Sequence, residues 1–283
     1  MSAGGTPTAQ TATVNGIDIA YDDAGSGPLV VMVMGTGSPG RVWKAHQQPA
    51  LLAAGYRVVT FDNRGIAPSS ECPEGFALSD MVADTAALIE HVGGGPAFVV
   101  GTSLGARITQ ELALARPDLV AGGVMVATYG RSTPVQEAIS AGERALYDNK
   151  ITLPPEYEAA ITAHLNLSPH TLDDDRTARD WLDIIGFSPQ RVTPGVRAQL
   201  ELHNGETDRL AAYRAISRPS LVVGFADDRT LPAKLAREVA DAIPGAEYAE
   251  VERAGHFGYL ERPDEVNRLI IDFLAKHREA GTA

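Results

Sequence analysis

The sequence predicts an α/β fold, in which helices flank a mostly parallel central sheet and a helical cap is inserted into the chain. Three observations support this prediction. Short, almost wholly apolar segments rich in valine recur along the chain, which is typical of strands buried on both faces of a parallel sheet. Amphipathic segments of helical period lie between them, as right-handed βαβ crossovers require. The alternation stops at about residue 131 and resumes at about residue 219.

The first predicted strand differs in pattern from the later ones. Residues 16–23 alternate between apolar and polar side chains, which suits an early antiparallel strand. The buried parallel strands follow as short apolar runs, and they are predicted at residues 29–34, 57–61, 97–101, 122–127 and 220–225. Residues 246–251 are the predicted last strand.

Helices are predicted in the amphipathic segments between these strands. Residues 79–92 begin with Ser79, a candidate N-cap, and end at a run of three glycines, residues 93–95. Two later segments begin after a proline, which suits the first turn of a helix because its missing N–H needs no partner there. The other predicted core helices lie within residues 106–117, 232–245 and 262–277.

Residues 131–218 contain no valine-rich segment and are therefore predicted to form a helical cap. Their pattern is helical or irregular, and it includes two consecutive prolines and a run of three aspartates. The flanking residues, 13–130 and 219–277, form the predicted core. Residues 1–12 show neither pattern, so we expect them to be a flexible tail.

The composition is that of a soluble globular protein and argues against two classes of partner. Hydrophobic residues make up 44% of the 283 residues, charged residues make up 21%, and the net charge is −12. An acidic protein is poorly suited to nucleic acid or to anionic membranes, so we expect neither as a partner.

The N-terminal residues lack the features of a secretory signal, and Cys72 is the single cysteine. We therefore expect a cytoplasmic protein without an internal disulfide, and the sequence does not indicate its oligomeric state.

The sequence Gly101-Thr102-Ser103-Leu104-Gly105 stands at the joint between a predicted buried strand and a predicted helix. A G-x-S-x-G pattern in this context is typical of a nucleophile elbow, a sharp turn that holds the serine above the carboxyl edge of the sheet. Side chains two positions before and after the serine would collide, which explains both glycines. The pattern alone also occurs by chance in glycine-rich turns, but the flanking strand and helix favour Ser103 as a nucleophile.

A serine hydroxyl is a weak nucleophile, so the mechanism needs a base and a carboxylate that orients it. In this type of site the chain order is Ser, then Asp or Glu, then His. His256 is the candidate base because it lies between the last predicted strand and the last predicted helix. The alternative is that His256 is an ordinary surface residue of that loop. Asp227 and Asp228 follow the preceding strand, and the spacing to Pro232 favours Asp228. The histidines that come too early, or fall in the cap or the C-terminal helix, are His46, His91, His164, His170, His203 and His277.

Two backbone N–H groups are expected to stabilise the oxyanion that forms during acyl transfer. One comes from the residue after the nucleophile, Leu104, and the other from the loop after the predicted strand at residues 29–34. In that loop Thr36 is the candidate donor and Gly35 a candidate substrate-binding residue. A plain flexible loop and a phosphate-binding loop are the alternatives, although the glycine spacing matches neither common phosphate-binding motif.

Four further residues are candidates for shaping the entrance and the pocket. Asp62 and Arg64 follow the predicted strand at residues 57–61, and we expect them to pair and brace the loops around the mouth. Trp43 and Trp181 are candidates for lining the substrate pocket, with ordinary packing as the alternative for both.

Several of these segments resemble proteins with the α/β-hydrolase fold, and the resemblance extends from about residue 13 to residue 277. The matching motifs are VMVMGTGSPGRVW, FDNRG, VVGTSLGA, GFADDRTLP and AGHFGYLERPDEVNRLIIDFL. Within that superfamily the chain is most similar to the bacterial cofactor-free haloperoxidase-like, or BpoC-like, branch. The resemblance implies an eight-stranded, mostly parallel sheet with a helical lid. One departure is Met34, which stands before Gly35 where many relatives have a histidine.

The same resemblance implies which residues carry the chemistry. A catalytic triad falls on Ser103, Asp228 and His256, and an oxyanion hole falls on Thr36 and Leu104. Members of the branch are generally hydrolases without metal or haem, so we expect no cofactor and a small acyl substrate.

The sequence therefore predicts a serine hydrolase that cleaves a small or medium ester, lactone or thioester through an acyl-enzyme. One alternative is a biosynthetic lyase, a cyclase or a carbon–carbon bond hydrolase that uses the same triad as a base. The other is a catalytically inactive homologue that binds a ligand.

Overall fold

The computed structural model describes residues 10–93, 95–187, 192–202 and 208–281. Some sequence predictions lie outside these ranges. They concern residues 1–9 of the predicted tail, Gly94 of the glycine run, and the stretches 188–191 and 203–207 of the predicted cap, the second of which contains His203.

Eight strands of the described chain form one sheet, which confirms the predicted α/β class and the strand number implied by the resemblance. They are β1 (Gln10–Val14), β2 (Ile17–Ala24), β3 (Leu29–Val33), β4 (Arg57–Phe61), β5 (Ala97–Thr102), β6 (Val120–Val126), β7 (Ser220–Phe225) and β8 (Glu247–Val251). Their order across the sheet is β1-β2-β4-β3-β5-β6-β7-β8. The strands β3 to β8 pair in parallel, and β1 and β2 form the antiparallel edge.

Twelve α-helices of the described chain connect and cover these strands. They are α1 (Gln47–Ala53), α2 (Leu78–His91), α3 (Leu104–Ala115), α4 (Pro134–Asp148), α5 (Pro155–Asn166), α6 (Pro169–Leu172), α7 (Asp175–Phe187), α8 (Pro194–Glu201), α9 (Leu210–Tyr213), α10 (Ala233–Ala242), α11 (Gly258–Glu261) and α12 (Pro263–Lys276). The helices α4 to α9 lie between β6 and β7, and no strand occurs among the described residues of that stretch. We call α4 to α9 the cap.

The core lies on both faces of the sheet, which is why the inner strands are apolar throughout. Successive residues of a strand point to opposite faces. In β3, Val31 and Val33 belong to an apolar cluster that includes side chains of α2 and α3, whereas Val30 and Met32 belong to one that includes side chains of α1 and α12. Both sets are buried, so each face of the sheet is covered by helices.

Two details differ from the sequence predictions. Residues 10–12 are not part of a tail, because they pair with β2 as part of the edge strand β1. Helix α2 begins at Leu78 rather than after an N-cap at Ser79. The reason is that the carboxylate of Asp80 reaches back and accepts a hydrogen bond from the Ala77 N–H at 2.8 Å, which caps the helix two residues earlier.

The helices of the described chain are too short, or too polar, for any of them to cross a lipid bilayer.

Candidate active site

Ser103 lies at the sharp turn between β5 and α3, as the sequence predicts. Its backbone has φ +56° and ψ −119°, and its N–H donates to the carbonyl of Val126 on the neighbouring strand at 3.0 Å. A positive φ is strained for a residue with a Cβ atom and persists only where the surrounding structure enforces it. This is the backbone geometry of a nucleophile elbow.

The glycines on either side of Ser103 are required by close backbone approach. A Cβ atom on Gly101 would lie 2.1 Å from the carbonyl oxygen of Gly105. A Cβ atom on Gly105 would lie 2.1 Å from the carbonyl oxygen of Val33 at the end of β3. Backbone atoms cannot move away as a flexible side chain can, so only glycine fits at either position.

The carboxylate of Asp228 holds the imidazole of His256. Asp228 follows β7, His256 follows β8, and the Asp228 Oδ2 atom lies 2.7 Å from His256 Nδ1. The other carboxylate oxygen of Asp228 accepts a hydrogen bond from the Leu231 N–H at 2.7 Å. Asp228 is 4% exposed and His256 is 8% exposed, so the pair is shielded from solvent. Since a carboxylate can only accept, Nδ1 donates, which leaves Nε2 as an acceptor.

Asp227, the alternative acid, has different partners. Its carboxylate accepts a hydrogen bond from the hydroxyl of Ser168 in the cap at 2.6 Å. Its N–H donates to the carbonyl of Ala254, close to the histidine, at 3.0 Å. The structure thus brings Asp228 and not Asp227 to the imidazole.

Ser103 and His256 line the same cavity, which has a volume of about 440 Å³. Gly35 and Thr36 also line it, and the Gly35 backbone packs so closely on the serine that a Cβ atom there would lie 3.1 Å from Ser103 Cβ. Within the described residues no hydrogen bond joins the Ser103 hydroxyl to the imidazole. Catalytic hydrogen bonds of this kind often shorten only when substrate binds.

Leu104 is the first residue of α3, where a backbone N–H has no carbonyl partner within the helix. Its N–H therefore belongs to the set of helix N-terminal donors that suit a developing negative charge. Thr36, the other predicted oxyanion donor, lines the same cavity as Ser103.

Neither tryptophan lines this cavity, so both predictions of pocket-lining tryptophans are wrong in this structure. Trp43 is fully buried and packs against Tyr259, with ring centroids 5.2 Å apart, because its helical turn (Gly40–Ala45) points it into the core. Trp181 is half-buried on α7, which packs mainly against α5 and α6.

The predicted pair of Asp62 and Arg64 does not form. Arg64 instead donates from Nε and from an Nη atom to both carboxylate oxygens of Asp84 on α2, each at 2.7 Å. Asp62 accepts a hydrogen bond from the Gly40 N–H at 2.7 Å, and burial raises the pKa of its carboxyl above the ordinary value. The arginine prefers Asp84 because two parallel hydrogen bonds match its planar guanidinium.

Two contacts between the cap and the loops of the candidate site are not predicted by the sequence pattern. Gln199 on α8 is fully buried, accepts a hydrogen bond from the Gly37 N–H at 2.9 Å, and donates to the carbonyl of Arg64 at 2.7 Å. It thereby ties the cap to the loop that contains Thr36. A glutamine within a cap helix gives no local signal of such a contact, because both partners are distant in sequence.

Glu261, at the end of α11, makes the second contact. Its carboxylate accepts hydrogen bonds from the Gly255 N–H at 2.7 Å, the Ser168 N–H at 2.9 Å and the Thr171 hydroxyl at 2.5 Å. One carboxylate therefore joins the loop of His256 to the segment of the cap around α6.

Comparison with known proteins identifies similar sequences and folds. A family model described as the alpha/beta hydrolase family matches residues 30–269. The putative non-heme bromoperoxidase BpoC of Mycobacterium tuberculosis is 48% identical over 259 residues, which cover 92% of this chain and 98% of that protein. The putative carbamate hydrolase RutD of Klebsiella pneumoniae is 29% identical, over 88% of this chain and 91% of that protein.

Among solved structures, the crystal structure of BpoC matches with a TM-score of 0.88 over 92% of this chain and 96% of that chain, at 48% identity. The structure of a hydrolase from Pseudomonas aeruginosa matches with a TM-score of 0.82 over 96% of this chain and 99% of that chain, at 25% identity.

Proposed function

Because the chain belongs to the alpha/beta hydrolase family, we propose that it is a serine hydrolase acting on a small or medium ester, lactone or thioester. The observation that carries the proposal is the shared cavity: a serine with strained, positive φ and an imidazole held by a buried carboxylate line the same 440 Å³ space. Cavities of this size hold small ligands.

In the proposed reaction His256 removes the proton from the Ser103 hydroxyl as the oxygen attacks the substrate carbonyl. The bond from Nδ1 to Asp228 leaves Nε2 free to accept that proton and stabilises the imidazolium that forms. The N–H groups of Leu104 and Thr36 bind the oxyanion. The imidazolium then protonates the leaving group, and His256 activates a water that releases the acyl group from the serine.

A second candidate function uses the same histidine as a base for elimination, cyclisation or carbon–carbon cleavage. The aliphatic part of the cavity wall favours elimination and cyclisation, because a dry site disfavours hydrolysis. The aliphatic side chains include those of Ile139, Leu146, Leu153, Leu165 and Val196. Hydrolysis in labelled water puts the label into the acid product, whereas elimination and cyclisation do not.

The decisive experiment compares Ser103→Ala with Ser140→Ala on a panel of p-nitrophenyl esters and lactones of graded chain length. Ser140 lines the same cavity from α4, so its variant controls for a change in the pocket. We expect Ser103→Ala to lower kcat by at least about 10⁴-fold and to abolish labelling by a fluorophosphonate probe. Full turnover by Ser103→Ala would overturn the acyl-enzyme mechanism, and a wild-type protein that the probe does not label would favour the inactive binding homologue.

A further inference from the structure

The cap turns one face of α4 toward the candidate active-site cavity. The residues of α4 that line the cavity include Gln136, Ile139, Ser140, Glu143 and Leu146. They recur at three- and four-residue intervals, so they share one side of the helix. A carboxylate on such an inward face is unexpected, since apolar or uncharged polar side chains usually occupy it.

Glu143 is not bound by a counter-charge in the described structure, although the positive charge of Arg144 lies near enough to lower the pKa of its carboxyl. Its carboxylate makes no hydrogen bond and no ion pair with a described residue, and the neighbouring guanidinium of Arg144 donates to the Leu200 carbonyl at 2.9 Å. Glu143 is an exposed residue that lines the cavity, so its side chain remains open to the space inside it. The protein that surrounds it nevertheless raises the pKa of its carboxyl, because desolvation disfavours the charged form.

A second carboxylate enters the cavity from α5 in the same way. The residues of that helix that line the cavity are spaced so that they share one face. They are Glu158, Ile161, Thr162, Leu165 and Asn166. The described lining residues include no lysine and no arginine. Among the described residues, the cavity wall therefore carries two carboxylates and no permanent positive charge.

An independent feature indicates that a polar ligand enters this cavity. Tyr259 is only 4% exposed and lines the cavity three residues after His256. Its hydroxyl makes no hydrogen bond with a described residue, and burial raises the pKa of the hydroxyl, so the group stays neutral and can donate or accept a hydrogen bond. Because Tyr259 lines the cavity, this hydroxyl can bind a polar group of a ligand or a water there.

We propose that the cavity selects acyl substrates that carry a protonated amine, which the carboxylates of Glu143 and Glu158 bind, and that it discriminates against substrates that carry a carboxylate. The inference rests on the proposed function, because it assigns the substrate class of the same site. The acyl group lies at Ser103, the aliphatic side chains of the cap contact the chain that follows it, and the ammonium group reaches the two glutamates. Hydrogen bonds to charged groups in a partly desolvated site give a preference of roughly 10- to 100-fold.

The test uses three p-nitrophenyl esters of hexanoic acid that differ only at the far end of the chain, which bears a methyl, an ammonium or a carboxylate group. We expect the wild-type kcat/KM to be highest for the ammonium ester and lowest for the carboxylate ester. In the Glu143→Gln, Glu158→Gln double variant the ratio of the ammonium to the methyl ester should fall to near one. Glu137→Gln is the matched control, since Glu137 is exposed on α4 and does not line the cavity.

Binding of hexylammonium, hexanol and hexanoate, measured by calorimetry, tests the same preference without catalysis. A preference for hexylammonium that the double variant loses and Glu137→Gln keeps supports the proposal. Equal binding of the three compounds, or a preference that survives in the double variant, overturns it. The proposed function fails separately, if Ser103→Ala hydrolyses the methyl ester as fast as the wild-type protein.

Discussion

At the scale of single residues, two adjacent aspartates after β7 differ in what they contact. Asp228 binds the imidazole of His256, and Asp227 binds the hydroxyl of Ser168 in the cap. The spacing in the sequence favours Asp228 but does not explain Asp227. In the structure Asp228 contacts the candidate base, whereas its neighbour Asp227 holds the cap.

We predict that Asp228→Asn lowers kcat by roughly 10³- to 10⁴-fold while the protein remains folded. An amide can donate to Nδ1, which would place the ring proton on Nε2 and prevent this atom from accepting the serine proton. Asp227→Asn should change kcat by only a few fold, because an amide oxygen still accepts from Ser168. Steady-state kinetics of both variants on one ester check the prediction. A loss in Asp227→Asn equal to that in Asp228→Asn would contradict it.

The raised pKa of Glu143 gives a pH-dependent prediction for stability. The folded protein holds this proton more tightly than the unfolded chain, whose ordinary value is near 4.5. The group's contribution to stability is therefore fully present below that value and is lost as the pH rises through the raised folded pKa. We expect Glu143→Gln to raise Tm relative to wild type at pH 8 by more than it does at pH 4. An equal change at both pH values, or the same trend in the exposed variant Glu74→Gln, would contradict this cause.

At the scale of elements, the short helix α11 connects the histidine loop to the cap. The carboxylate of Glu261 accepts hydrogen bonds from Gly255, Ser168 and Thr171. The Phe257 N–H also donates to the Asn166 carbonyl at 2.9 Å, so backbone and side-chain contacts act at the same junction. The segment of the cap at residues 166–171 is therefore held on the loop that carries the candidate base.

We predict that Glu261→Ala lowers the free energy of unfolding by roughly 2–4 kcal/mol, since it leaves buried donors without an acceptor. Glu74→Ala, at an exposed loop position, should change it by no more than about 0.5 kcal/mol. Urea denaturation measures the free energy of unfolding of both variants, provided that the m-value is the same as in the wild-type protein. A protease should cleave the Glu261→Ala variant first near α6. Cleavage elsewhere, together with an unchanged midpoint of urea denaturation, would contradict the assigned contact.

The elements most accurately predicted from the sequence are those whose pattern has a single physical cause. The inner strands are buried on both faces, so their valine-rich runs match β4 and β7 to the residue. The edge strand β1 differs from the predicted tail because it is only five residues long, alternates between exposed polar and buried apolar side chains in part only, and is held by pairing with β2. The start of α2 differs from the predicted one because the Asp80 side chain caps a residue that precedes it in the sequence.

At the scale of the whole molecule, the candidate site divides between two parts of the chain. The elbow, the histidine and the oxyanion loop come from the ends of strands of the sheet, whose positions follow from a fixed topology. Sequence order was therefore enough to predict where in the chain these candidate residues lie. The partner of Arg64 and the packing of Trp43 and Trp181 depend on tertiary contacts that no local pattern encodes. The faces of α4 and α5 that line the cavity cannot be predicted from a local pattern either, because they depend on how the cap packs over the sheet.

This division predicts that the cap sets acyl-chain preference without setting the chemistry. Leu146 lines the cavity from α4, so Leu146→Ala should make room for a longer acyl chain. Each additional buried methylene gains about 0.8 kcal/mol, or about a fourfold increase in kcat/KM for the longer ester relative to the shorter one. The comparison uses p-nitrophenyl esters of increasing length, with Leu182→Ala on α7 as the control because that side chain does not line the cavity. If Leu146→Ala left the chain-length profile unchanged, or if Leu182→Ala shifted it equally, the acyl chain would not bind against α4, and the path assigned to the substrate between Ser103 and the cap would have to be redrawn.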